Sequence, residues 1–206
     1  MIDILYNDEY IAVAVKPAGI ISEAGGFPDI LIEELSKKRG EEVTLYPVHR
    51  LDKETSGIMV YALTQAAAAS LSKDITDGVW EKTYVARVCG IPERTSDTLR
   101  DLLYYDRARS KSFVVKGKRK GVKEAILHYS VVSTDNGYST LKVRLETGRT
   151  HQIRVQFASR GLPLCGDRRY GAPAESGKSL ALCACELRLC HPKTRETLEF
   201  KIEAKL

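Results

Sequence analysis

The chain is short of the features that mark secreted, membrane-bound and nucleotide-cleaving proteins. Its start, Met1-Ile2-Asp3-Ile4-Leu5-Tyr6, has neither a basic leader nor a small-residue cleavage site. The longest small-apolar run, Ala66 to Ala69, falls far short of the ~20 residues that cross a bilayer. These absences point to a cytoplasmic protein with no membrane partner. A phosphate-binding glycine loop is missing too, since Gly25-Gly26 lacks the lysine and the spacing that such a loop requires. The five cysteines are an odd count, which argues against a disulfide framework. A zinc set of Cys183, Cys185, Cys190 and His191 lacks a Cys-x-x-Cys knuckle, and the Cys183/Cys185 alternation suits one face of a strand. We therefore expect reduced thiols and no metal. No repeat, low-complexity linker or break in composition divides the sequence, so one domain, 1–206, is the plain expectation.

What is present is a globular balance. Of 206 residues, 43% are hydrophobic and 29% charged, enough for a core without staples. The net charge of +5 permits a polyanionic partner without requiring one. Tyr10 to Val15 reads as a buried strand broken by Lys16-Pro17-Ala18-Gly19. A helix is predicted from Pro28 to a stop at Gly40, a strand over Gly57 to Leu63, and a helix capped by Thr64 running to about Ser72. Trp80 to Val88 reads as a long strand. Ala125 to Ser133 and Ser139 to Glu146 flank Asp135-Asn136-Gly137, a hairpin signal. Thr150 is predicted to cap a helix through Arg160, and two strands, Leu180 to Leu189 and Thr197 to Lys205, close the chain. Strands outnumber helices and neighbours form hairpins, so the expected class is α+β with a central mixed, mainly antiparallel sheet.

Three clusters carry chemistry. Five charged or chargeable residues crowd His49 to Glu54, and Asp52 lies close to Thr55, Ser56 and Gly57, whose backbone and hydroxyl donors could orient a carboxylate. The bland alternative is a charged surface loop. In Thr147-Gly148-Arg149-Thr150-His151-Gln152-Ile153-Arg154, two arginines and a histidine stand at a strand-to-helix junction, either an anion site or a capped helix with solvated cations. Tyr84 shares a strand face with Lys82 and Ala86, where an aromatic is ordinarily core or rim. The dense basic run Lys116 to Lys123, with Lys118, Arg119 and Lys120, reads as a solvated loop or as a phosphate-contacting arm.

In this order the clusters resemble the RluA-type pseudouridine synthases. The resemblance lies in His49-Arg50-Leu51-Asp52-x-x-Thr55-Ser56-Gly57, in Lys82-Thr83-Tyr84-Val85-Ala86, and in Thr147 to Val155 followed by Gly161-x-Pro163-Leu164-x-Gly166-Asp167. Lys16-Pro17-Ala18-Gly19 and His191-Pro192 also fall in family order, so it spans residues 2 to about 203. It implies an isomerase that breaks the N1–C1′ bond of a flipped uridine, turns the uracil and rejoins it through C5. Asp52 would be the catalytic carboxylate, Arg149 its counter-charge and Tyr84 the flat wall for the loosened base. His49, Arg50, Thr55, Lys82, His151, Gln152 and Arg154 would face RNA or base, with Arg50 filling the space that the base vacates. The sheet would be flanked by helices and loops around an RNA-binding cleft. Bond energies nearly balance, so no cofactor is implied; the partner would be a structured stem-loop of rRNA or tRNA, and the enzyme a monomer. Gln156 and Cys183 depart from family habit, as does Ile20 to Ala24, which bears on target choice. The chain begins directly with the catalytic pattern, so no accessory RNA-binding domain is expected. A non-catalytic RNA-binding relative would have lost the aspartate or the tyrosine, and both are present.

Overall fold

Two short strands, β1 (Ile4–Asn7) and β2 (Ile11–Lys16), pair antiparallel across a turn set by Asp8. The Asp8 carboxylate accepts from the backbone N–H groups of Tyr10 at 2.7 Å and Ile11 at 2.8 Å, a side chain standing in for a missing turn bond. In the computed structural model, which describes residues 2–206, the chain gathers into two compact units. One is Met1–Lys82 with Ala184–Ala204, the other Thr83–Cys183 with Lys205–Leu206.

The first unit contains β1, β2, α1 (Phe27–Arg39), β3 (Tyr46–Pro47), β4 (Ser56–Ala62) and α2 (Gln65–Thr76). β2 pairs antiparallel with β4 from Ile11↔Ala62 to Lys16↔Gly57. Both strands are buried on both faces, which is why their sequences run apolar without alternation. On one face Ile11, Val13, Ile58, Val60 and Ala62 form a core with Ala67 and Leu71 of α2 and with Trp80. On the other, Tyr61 meets Phe27 of α1 with ring centroids 6.2 Å apart. Thr64 caps α2 as predicted, accepting from Ala67 N–H at 3.1 Å, but the helix runs on to Thr76. Gly40 ends α1 in the left-handed conformation.

The second unit contains most of β5 (Glu81–Cys89), then β6 (Ser96–Asp106), β7 (Lys111–Val115), β8 (Val122–Asp135), β9 (Tyr138–Leu145) and α3 (Gln152–Ala158), in the sheet order β5-β9-β8-β6-β7. The predicted hairpin is β8–β9, and its turn residues Asn136 and Gly137 both have positive φ, 49° and 79°. β6 pairs antiparallel with both β8 and β7. β10 (Leu182–Cys190), from Ala184 on, belongs to the first unit and forms a hairpin with β11 (Thr197–Lys201). This is the α+β, mainly antiparallel class that the sequence pattern predicts.

α3 departs from expectation at both ends. Its N-cap is His151, in the left-handed region at φ 55°, and not Thr150; its last residue is Ala158, with Ser159 as C-cap. The side chain of Gln152, the first residue of the helix, braces the loop before it: its Oε1 accepts from Arg149 N–H at 3.0 Å and from the Thr147 hydroxyl at 2.8 Å.

Candidate active site

Asp52 sits in a loop gripped on both sides. Before it, the Ser22 hydroxyl donates to the Leu51 carbonyl at 2.8 Å and accepts from Leu51 N–H at 3.3 Å. After it, the Lys53 carbonyl accepts from the Lys16 ammonium at 3.1 Å and from Gly19 N–H at 2.9 Å. Thr55 N–H closes a turn onto the Asp52 carbonyl at 3.0 Å. The Lys16-Pro17-Ala18-Gly19 break after β2 is therefore a fastener for this loop. The Lys16 side chain is 0% exposed and also donates to the Pro17 and Ile20 carbonyls, at 2.8 and 2.7 Å. Burial lowers its pKa to about 8, against the opposing pull of the Glu54 and Asp52 charges. Asp52 is half-buried. Gly57, at φ 129°, lets β4 pass its neighbour: an added Cβ would stand 2.3 Å from the Ala184 carbonyl oxygen.

The residues around Asp52 divide into structural and exposed ones. Thr55 is buried at 2% exposure and serves the turn. His49 is fixed by Val60 N–H, which donates to its Nε2 at 2.9 Å, and by an edge-on contact with Trp80 at 5.2 Å. Desolvation first, and then the Lys82 charge, holds its pKa well below the usual imidazole value, so the ring is neutral with its proton on Nδ1. Lys82 lies over the Trp80 ring at 5.1 Å, and burial lowers its pKa to about 8. Arg50 is exposed and meets Glu23 at 2.5 Å, a surface pair that contributes little and leaves the guanidinium available.

In the second unit, Tyr84 is a buried residue of β5, 8% exposed. Arg149 is half-buried on the loop before α3, where its Nε donates to the Glu124 carbonyl at 2.8 Å. Gln152 and Arg154, expected to face RNA, are committed to the interior instead. Gln152 is 3% exposed and its Nε2 donates to the Ile126 carbonyl at 3.1 Å. Arg154 forms a buried two-point pair with Asp167, at 2.7 and 2.9 Å, and its guanidinium packs over the Tyr170 ring at 5.2 Å. His151 is half-buried, and its Nδ1 lies 2.9 Å from the Tyr170 hydroxyl. Gln156 and Cys183 are buried as well, Gln156 donating to Asp101 at 2.7 Å, so these departures lie in the interior.

The basic run lies between β7 and β8, with Lys118, Arg119 and Lys120 exposed. It is tethered: Arg119 stacks over the Tyr104 ring at 5.1 Å, and Val122 N–H donates to the Arg119 carbonyl at 3.0 Å. The sequence placed Lys16 in a break that falls in family order, but it gave no sign that the Lys16 ammonium and the Ser22 hydroxyl fasten the Asp52 loop.

The fold is that of solved pseudouridylate synthase structures. Human RNA pseudouridylate synthase domain containing 1 superposes with a TM-score of 0.81 at 22% identity, covering 98% of this chain and 83% of that one. Human RNA pseudouridylate synthase domain containing 4 gives 0.79 at 23%, covering 98% and 88%. Sequence carries the assignment further. The RNA pseudouridylate synthase family model matches residues 10–159. The dual-specificity RNA pseudouridine synthase RluA of Yersinia pestis is 34% identical over 98% of each chain. Ribosomal large subunit pseudouridine synthase D of Zymomonas mobilis is 33% identical over 98% of this chain and 69% of its own. The chain belongs to the RNA pseudouridine synthase family, whose members are isomerases acting on RNA.

Proposed function

We propose that this chain isomerises uridine in a stem-loop of rRNA or tRNA, with Asp52, Tyr84 and Arg149 acting on the flipped nucleotide, as a cytoplasmic monomer needing neither cofactor nor metal. The observation that carries the reading is the clamp on the Asp52 loop, in which Ser22, Lys16 and Gly19 fix the residues on either side of the carboxylate. Keeping a buried ammonium on the Lys53 carbonyl is costly, which supports a role for this loop beyond that of an ordinary surface turn. Asp52 acts as nucleophile or base while the N1–C1′ bond breaks, and Arg149 supplies positive charge to the anionic centre. Tyr84 gives the uracil a flat wall to turn against, after which C5 bonds to C1′ and releases its proton. Arg50 enters the space that the base leaves, an extrusion that costs a few kcal/mol. The names of the two relatives, one of dual specificity and one of the large ribosomal subunit, support testing more than one RNA, with rRNA first.

The test is release of tritium from C5-labelled uridine in rRNA and in tRNA, each taken from cells lacking the gene. Wild-type protein should release label from at least one, and Asp52→Asn from neither while still binding both. Tyr84→Phe should slow release about a hundredfold or more if the hydroxyl takes the C5 proton, as a general base contributes ~10²–10⁴-fold. Normal turnover by Asp52→Asn would remove the centre of the mechanism.

A further inference from the structure

Within the second unit lies a cavity of about 660 Å³, in the range of small-ligand sites. The β6–β7 hairpin, the basic run and the Gly148-Arg149-Thr150 loop line it. Its charged residues are Arg107, Lys120, Lys123 and Arg149 against a single carboxylate, Asp106. Such an excess selects an anionic ligand.

The cavity also holds an aromatic platform. Tyr105 is on the same β6 face as Leu103, which is buried against Val155 and Tyr170. Beyond that core Tyr105 is 37% exposed, which leaves ring surface for a ligand to cover. The ring is backed by neighbours: it stands edge-on to His151 at 6.2 Å, and His151 is held in turn by the Tyr170 hydroxyl at 2.9 Å. Tyr170 is locked by Ser112 N–H, which donates to its hydroxyl at 2.8 Å, and Lys111 lies over its ring at 4.9 Å. The platform therefore loses little freedom when something stacks on it. On the opposite face of β6, Arg119 on Tyr104 ties down the basic run that carries Lys120.

We propose that this cavity is a second nucleotide subsite, where the base of a nucleotide near the target uridine stacks on Tyr105 and its phosphates meet Arg107, Lys120 and Lys123. The proposal rests on the reading of the chain as an RNA-modifying enzyme and deepens it. Arg149 lines this cavity and belongs to the proposed catalytic set, so the subsite shares a residue with that set. A flat ring among lysines suits any base, because every base has a π face. The subsite therefore grips the strand without reading its sequence.

The test compares a fluorescently labelled oligouridylate with an abasic ribose-phosphate oligomer of the same length, titrated against the full chain. Wild-type protein should bind the oligouridylate more tightly. Tyr105→Ala should weaken that binding about 5- to 150-fold, the equivalent of the ~1–3 kcal/mol that one stacked base contributes. Its affinity for the abasic oligomer and its salt dependence should match wild type, and Tyr105→Phe should bind like wild type because it keeps the ring. Undiminished oligouridylate binding by Tyr105→Ala would overturn the subsite. So would equal wild-type affinity for the two oligomers, or displacement of oligouridylate by polyglutamate at equal charge concentration, which would point to an acidic protein partner. C5 tritium release by the wild-type protein is scored separately. Release together with a silent Tyr105→Ala sinks only the subsite, whereas weakened binding without release sinks only the catalytic reading.

Discussion

Lys16 shows how a single side chain can organise a site that it is not part of. Its ammonium has three donors and the structure uses all of them, on the Pro17, Ile20 and Lys53 carbonyls. In Lys16→Met the Lys53 carbonyl keeps Gly19 N–H, while Pro17 and Ile20 lose the lysine donor. Destabilisation of about 1–3 kcal/mol, the cost of a buried polar group left unpaired, should appear as a lower urea midpoint with an unchanged slope. A midpoint equal to wild type would mean that water replaces the lysine. His49 gives a pH signature. Its folded pKa is depressed, so its contribution to stability is complete above about pH 6.5, the ordinary imidazole value, and is lost as pH falls below it. Between pH 6.5 and 5, wild type should lose stability faster than His49→Gln, by at most about 1.4 kcal/mol per pH unit. Parallel urea curves for the two proteins would show that the ring titrates normally. At this scale the sequence displayed where polar residues gather but not what each one touches. Gln152 and Arg154 stand in the same polar string as Arg149, and their burial depends on partners the string does not contain: Ile126 for Gln152, Asp167 for Arg154.

Elements with a strong local signal were legible and those made by pairing were not. β2 and β4 are apolar runs, α2 has its threonine cap, and β8–β9 has its Asn-Gly turn. β6 and β7 had no such mark, because along the eleven residues of β6 only Leu99 and Leu103 are buried. β6 exists because it is hydrogen-bonded on both edges, to β8 and β7, a non-local fact. The start of α3 was misread for a related reason: a threonine in the right place predicts a cap, but the helix begins one residue later, after His151 turns into the left-handed region at φ 55°. What fixes α3 to its surroundings is the Arg154–Asp167 pair, with both side chains under a tenth exposed. Arg154→Met should therefore cost about 3–5 kcal/mol, because it leaves a buried carboxylate unpaired. Asp167→Leu on top of it should recover much of that loss, since the uncompensated charge goes with it. A single-variant loss below about 1 kcal/mol in urea melts would be the behaviour of an exposed pair and would contradict the burial.

For the whole molecule, a net charge of +5 says only that a polyanion is tolerated; what matters is where the cations collect. In the second unit the basic run, tied down by Arg119 on Tyr104, brings Lys120 and Lys123 to the cavity that also holds Arg107 and Arg149. If this is where RNA phosphates lie, affinity must fall steeply with salt, because each neutralised phosphate releases condensed counterions. Replacing Lys118, Lys120 and Lys123 with glutamine removes charge and leaves the Arg119 tether in place, so the loop keeps its position. Every phosphate that is no longer neutralised should lower the slope of log K against log salt by about 0.7–0.9, and the triple variant by roughly 2 or more if all three lysines engage. The weakening should be similar across RNA sequences, since binding to phosphate carries no base information. C5 tritium release at saturating RNA should persist, because none of the three is proposed to touch the reacting uridine. A triple variant whose slope matches wild type would return the run to a solvated loop. RNA would then have to be held by other surfaces of the chain, with the proposal for Asp52 unaffected.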